Sequence, residues 1–141
     1  MDEGLCASRV MRIILSKEHK ETLVSHAKRC APSESCALLF GRMNSDVCSV
    51  SDVFLAENVD DSPVNFTISN EELLKGYDLA EKKKLDVVGI FHSHPTSDAI
   101  PSSTDVKFME MNPVMWVIFS NRDDTMKAFL LDDVISSVEI E

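Results

Sequence analysis

Asp86-Val87-Val88-Gly89-Ile90-Phe91-His92-Ser93-His94-Pro95 reads as a central strand that carries its chemistry at its end. The run from Asp86 to Phe91 is rich in β-branched and apolar residues, the composition of a buried strand. Pro95 cannot continue the ladder and stops it. His92 and His94 are two residues apart, and on a strand residues i and i+2 project from the same face. Two imidazoles so placed can meet one metal ion. Residues 96–101 then read as a loop, and Ser102-Ser103-Thr104-Asp105 as a capping-box-like start to a helix reaching about Met111. Asp105 falls in the first turn of that helix, where its carboxylate could return to the strand end. Two histidines and a carboxylate, with water in the fourth position, form a known catalytic zinc shell. Zinc lowers the pKa of bound water to about 7.

Upstream, Arg12 to Leu15 is a short apolar strand, and Ser16 caps a helix over Lys17–Arg29 that Pro32 ends. Cys36-Ala37-Leu38-Leu39-Phe40 is a continuous apolar run stopped by Gly41, as in a buried strand. Val47 to Ala56 alternates apolar and polar residues and predicts another strand. Glu57 to Asn65 is a polar loop, Phe66 to Ile68 a brief extended piece, and Ser69 the cap of a helix to about Lys84. Downstream, Val114–Phe119, Lys127–Leu131 and Val134–Ile140 are strands. Asp123-Asp124 and Asp132-Asp133 read as turn residues between them. Met109, Met111, Met115 and Trp116 read as core. Without a repeat or a dividing linker, the order predicts one α/β domain built on a mixed sheet with flanking helices. Residues 1–10 are irregular and expected to be flexible.

The 141 residues suit one domain, and 44% hydrophobic content is enough for a core. With 14 Lys and Arg against 24 Asp and Glu, the net charge is -10. Its one basic run is Lys82-Lys83-Lys84, in a helical pattern, so phosphate neutralisation and nucleic-acid binding are not expected. No apolar run approaches the ~20 residues of a membrane helix, and no secretory signal is read. The four cysteines, Cys6, Cys30, Cys36 and Cys48, form no C-x-x-C pair. Free thiols in a reducing, cytoplasmic compartment are expected, with a Cys30–Cys36 bridge left open. Cys36, inside an apolar strand, suits an inert thiol better than a nucleophile.

Taken singly, each element of the site has an ordinary reading. Histidines are common caps, Ser102 to Asp105 is a capping pattern without any metal, and Glu34 alone is one more acid. Together Glu34, His92-Ser93-His94-Pro95, Ser102 and Asp105 resemble the JAMM motif of the MPN+ metalloproteases, with seven residues between His94 and Ser102 and two between Ser102 and Asp105. Pro32-Ser33-Glu34-Ser35-Cys36-Ala37-Leu38-Leu39-Phe40-Gly41 resembles that family's glutamate segment, with Ala37 where the family usually has Gly. The likeness runs from about Ile13 to Leu131.

The resemblance implies one MPN-type domain over residues 1–141, cytidine-deaminase-like in fold. It implies zinc on His92, His94 and Asp105, with Glu34 as general base and then acid and Ser102 assisting the oxyanion. It implies hydrolysis of the bond between the C-terminal glycine of a ubiquitin-like protein and a lysine. Asn112-Pro113 leads almost directly into the next strand, so the insertion of linkage-selective eukaryotic members is absent or very short. A compact archaeal or bacterial type is therefore expected, acting on conjugates of small ubiquitin-like modifiers or on sulfur carriers. Residues 57–65 and 96–101 would wall the substrate groove. A homodimer and a scaffold module working through assembly are left open by the likeness.

Overall fold

Seven strands and three helices alternate along residues 11–141, the part of the chain that the computed structural model describes. The flexible stretch expected at residues 1–10, with Cys6, lies outside the described residues. In chain order the elements are β1 (Arg12–Ile14), α1 (Lys17–Cys30), β2 (Cys36–Asn44), β3 (Val47–Ala56), α2 (Asn70–Lys82), β4 (Asp86–His94), α3 (Ser103–Met111), β5 (Met115–Ser120), β6 (Thr125–Asp132) and β7 (Val134–Ile140). The expected mixed α/β architecture is present. The sheet runs β1-β3-β2-β4-β5-β6-β7 and closes on itself, because β1 pairs parallel with both β3 and β7. No local pattern announced that closure, which joins residues far apart in sequence. Among the described residues no helix is long and apolar enough to cross a membrane.

Side-chain alternation along the central strands separates two cores. Ala37, Leu39, Phe91, Val117 and Phe119 face one way and pack with Leu23 and Ala27 of α1. Leu38, Phe40, Ile90, Trp116 and Ile118 face the other way, with Ala80 of α2 and Met109 of α3. His92 and His94 continue the phase of Ile90, so both imidazoles emerge on the side that carries α3. The parallel pair β4 and β5 needs a crossover connection, and α3 is that crossover. Asp105 is thereby delivered to the end of β4.

Each helix starts on a serine cap, as expected. The hydroxyls of Ser16, Ser69 and Ser102 accept from the backbone N–H groups of His19, Glu72 and Asp105. His26, buried on α1, reaches the carbonyls of Cys36 and Ala56 at 3.1 and 3.2 Å. Carbonyls only accept, so Nε2 carries the proton and is shared between them. The bond staples α1 across the ends of β2 and β3.

Three expectations need correction. The run beginning at Cys36 does not stop at Gly41 but continues to Asn44. The register against β3 shifts between Phe40 and Gly41, and a Cβ on Gly41 would stand 1.9 Å from the Ser49 carbonyl oxygen. The glycine permits a close backbone approach at a bulge rather than ending the strand. The helix expected to reach about Lys84 ends at Lys82, and Lys84 is left-handed at φ 60°. Met109, Met115 and Trp116 are core, but Met111, in the last turn of α3, is 69% exposed. The turn readings at Asp124 and Asp133 hold, both with φ near +60°.

Gly41→Ala is expected to destabilise the fold by about 3 kcal/mol, because the added methyl meets backbone that cannot rotate away. Urea unfolding measures it. A cost of only about 0.5 kcal/mol would mean that the bulge relaxes freely.

Candidate metal centre

The centre is assembled by pairing the start of β2 with the end of β4. Cys36 lies opposite His92 in the antiparallel register. One residue earlier, the Ser35 N–H donates to Ser93 Oγ at 2.9 Å, and the two hydroxyl oxygens are 2.8 Å apart. The Ser93 N–H returns to the Ser35 carbonyl at 3.1 Å. Both serines are fully buried. Ser93 has the opposite phase to the two histidines, so it grips the neighbouring strand while they face the site.

Three donor atoms converge there. His92 Nε2 is 3.1 Å from His94 Nε2, and Asp105 Oδ2 lies 3.1 and 3.0 Å from them. All three side chains are buried. His94 Nδ1 donates to the Asp98 carbonyl at 2.7 Å. This leaves a lone pair on Nε2 of the neutral ring, directed at a carboxylate oxygen that also has only lone pairs. A triangle of lone pairs is stable only around a proton or a cation. Ligands 2.0–2.1 Å from a tetrahedral zinc stand about 3.3 Å apart, close to the spacing found. The donor set therefore fits one zinc ion, and these three residues form a group that could hold a metal.

The electrostatics agree. Burial acts to raise the Asp105 carboxyl, but the close approach of the His92 and His94 imidazoles, with the Ser102 N–H at 2.9 Å, holds it well below the usual carboxylate range. Burial lowers the His92 imidazole, which favours the neutral, ligating form. Phe66 stacks on that ring at 4.9 Å and Trp116 meets it edge-on at 5.8 Å.

Glu34 is 4% exposed, and its Oε1 has no hydrogen-bond partner. Its backbone is pinned on both sides. The N–H donates to the Ser62 carbonyl at 2.8 Å, and the carbonyl accepts from Asn58 Nδ2 at 3.0 Å. Burial pushes the carboxyl up to about 8, with His94 opposing and Asp105 adding to the rise. A carboxyl so tuned can take up and return a proton near neutral pH. Ser102 is in a capping box: its hydroxyl accepts from the Asp105 N–H at 3.1 Å, and its O–H proton remains available to a ligand.

The structure thus brings Glu34, His92, His94, Ser102 and Asp105 into one region. Cys36 stands apart as a buried thiol pushed up to about 12, and Cys30, Cys36 and Cys48 are all unbridged. The reading of the sequence missed Ser35, Asn58 and Phe66. Ser35 and Phe66 looked like ordinary polar and apolar residues. Asn58, in a polar loop, offered the weak signal of a residue apt to bond local backbone. It bonds the carbonyls of Glu34 and Asn65 and the N–H groups of Asp60 and Thr67, which uses both donors and both lone pairs. An apolar cavity of about 220 Å³ lies on the Phe66 side of residues 57–69, lined also by Ile68, Phe108, Met111 and Trp116.

A mixed α/β domain with a His-His-Asp cluster at the end of a strand defines the class of this protein. The chain belongs to the prokaryotic homologs of the JAB domain, whose family model matches residues 16–132, and is a compact JAMM/MPN+ family member. It is 40% identical over 109 residues to a desampylase of Pyrococcus furiosus, covering 76% of this chain and 74% of that one. It is 31% identical over 111 residues to the CysO-cysteine peptidase of Mycobacterium tuberculosis, covering 79% and 75%. A solution structure of a protein from Desulfitobacterium hafniense superposes with a TM-score of 0.82 at 33% identity, covering 92% of this chain and 91% of that one.

Because the folded state keeps a proton on Glu34 that the unfolded chain has already lost, metal-free protein is expected to lose stability as pH rises from about 4.5 to about 8. Glu34→Gln cannot ionise there and should flatten that part of the curve. Urea midpoints across the range, in chelator, give the comparison; equal slopes in both proteins would remove Glu34 as the buried acid.

Proposed function

We propose that this chain is a zinc-dependent isopeptidase that cleaves the bond between the C-terminal glycine of a ubiquitin-like modifier and a lysine of its target. The observation that carries the reading is the convergence of His92 Nε2, His94 Nε2 and Asp105 Oδ2 beside the buried, unpartnered carboxyl of Glu34. The likeness to a desampylase supports a small ubiquitin-like protein as substrate. The reading takes residues 1–141 as a single domain, cytidine-deaminase-like in layering and working in the cytoplasm.

His92, His94 and Asp105 would hold the ion, which supplies a Lewis acid and a water acidic enough to attack at neutral pH. Glu34 accepts the proton of the attacking water on its free Oε1 and delivers it to the leaving amine. Asn58 and Ser62 pin the backbone of the residue that carries it. The Ser102 hydroxyl donates to the oxygen that gains negative charge, while its lone pairs remain on the helix cap. The start of α3 favours negative charge at the same place.

A second reading has one specific support, the likeness to a CysO-cysteine peptidase. In that reading the same groups release an amino acid from the C-terminus of a sulfur carrier. A substrate panel followed by mass, with and without chelator, separates the two.

Asp105→Ala is expected to lose most bound zinc, measured by metal analysis; full zinc and full activity would remove it from the ligand set. Glu34→Gln should keep zinc and lose roughly 10²–10⁴-fold in cleavage. Loss of zinc in that variant would move Glu34 among the ligands. Ser102→Ala separates cap from catalyst: the cap costs about 1 kcal/mol in unfolding, and an oxyanion donor costs about 10²–10³-fold in kcat. Earlier melting with unchanged turnover would leave Ser102 as a cap alone.

A further inference from the structure

β4 and β5 end side by side. In their parallel register His92 lies opposite Ile118 and His94 opposite Ser120. Ile118 belongs to the core on the α3 side. Ser120 continues its phase, so its side chain stands next to the His94 imidazole. Residues 95–101 fold back over both strand ends and set one carbonyl on each. The Ser97 carbonyl accepts from Ser120 Oγ at 2.8 Å, and the next carbonyl, that of Asp98, accepts from His94 Nδ1 at 2.7 Å.

A serine before a turn has an ordinary role, which is to accept from the backbone two residues on. Ser120 Oγ does so for the Arg122 N–H at 3.2 Å. That role uses a lone pair, whereas the hydroxyl proton goes to the loop. The Asp123 carboxylate also feels this hydroxyl but takes its main hydrogen bond from Thr125 Oγ1 at 2.8 Å. A second tie from this turn to the loop is the Arg122–Asp98 ion pair, with side chains 55% and 56% exposed. Pairs so exposed hold weakly. Ser120 is fully buried, and its bond is the firm anchor.

We infer that Ser120 is a positioning residue for the metal centre: by holding the Ser97 carbonyl it fixes the Asp98 carbonyl, which keeps the His94 proton on Nδ1 and leaves Nε2 bare toward a cation. The inference rests on the assignment of His92, His94 and Asp105 as metal ligands and is independent of the substrate. The other tautomer has an acceptor at hand, because an Nε2–H would donate to Asp105 Oδ2, 3.0 Å away. That bond would occupy the ring nitrogen and the carboxylate oxygen that an ion needs. The Asp98 carbonyl opposes it from the far side of the ring. No substitution removes a carbonyl, so the side chain that anchors its neighbour is the point to change.

Two comparisons differ in the hydroxyl: the parent against Ser120→Ala, and Ser120→Thr against Ser120→Val. In metal-free full-length protein, at one fixed pH where the imidazoles are neutral, NMR of the ring nitrogens gives each tautomer. The His94 signal is assigned by its loss in His94→Gln. The parent and Ser120→Thr are expected to carry the proton on Nδ1, and Ser120→Ala and Ser120→Val to show a mixture with Nε2–H. Zinc affinity, measured by competition with a chromogenic chelator, should fall about tenfold when the hydroxyl is lost and recover in Ser120→Thr. Ser16→Ala removes a helix cap that has no link to residues 95–101, and should melt earlier with zinc affinity unchanged.

An unchanged His94 ring in Ser120→Ala, or unchanged zinc affinity, overturns the inference. So does an affinity loss that folded Ser120→Thr fails to restore or that Ser16→Ala reproduces. If Ser120→Ala does not fold, the Thr and Val variants are compared by the same criteria. If the parent binds no zinc, the metal assignment fails and the ring signals alone decide. A mixed tautomer on loss of the hydroxyl then keeps Ser120 as the residue that orients His94, and an unchanged ring removes it.

Discussion

Two buried serines hold the centre together. Ser35 and Ser93 join the chain entering β2 to the end of β4 through three short contacts in a place without solvent. Because a strand's side chains alternate, that grip fixes both neighbours of each serine as well: Glu34 before β2, and His92 and His94 around Ser93. A half-satisfied buried hydroxyl would be costly, so the pair specifies one register and tolerates no slip. Charged chemistry is placed by a neutral interaction that carries none of it.

Around that grip, burial does opposite things to two carboxyls a short distance apart. Asp105 is held ionised because its Oδ2 accepts the Ser102 N–H and faces the two imidazoles of the cluster. Glu34 meets the same desolvation with one oxygen unpartnered, and its proton is retained toward neutral pH. One acid is suited to stay charged and bind, the other to exchange a proton. The difference lies in hydrogen-bond supply, set by which backbone segment each residue begins: Asp105 opens a helix, and Glu34 precedes a strand.

Much of this was legible in sequence because the decisive signals were local. The serine caps, the apolar run of β2, the Asp86–Phe91 strand and the i, i+2 histidines are short-range patterns, and each formed as read. The spacing from His94 to Ser102 and Asp105 was legible for the same reason, since a loop and one helical turn return the carboxylate to the strand it left. What escaped was long-range. Closure of the sheet through β1 and β7 joins Arg12 to Glu139, and no pattern near either residue marks the partner. Gly41 misled because glycine signals both an end and a close approach, and only the position of the Ser49 carbonyl tells them apart. Phe66 and Asn58 escaped because their roles lie in what they touch.

The partner of His94 Nδ1 is a main-chain oxygen, that of Asp98. The Asp98 side chain instead pairs with Arg122 at the surface. The tautomer of a metal-facing histidine is therefore encoded in the path of a loop rather than in the identity of any residue along it. Point replacements between Pro95 and Pro101 can accumulate with little chemical effect while that path is preserved. A single added or deleted residue there would displace the acceptor and leave every motif residue unchanged. Relatives that drift by substitution can thus keep this ring oriented, and those altered in loop length can lose it with an intact signature.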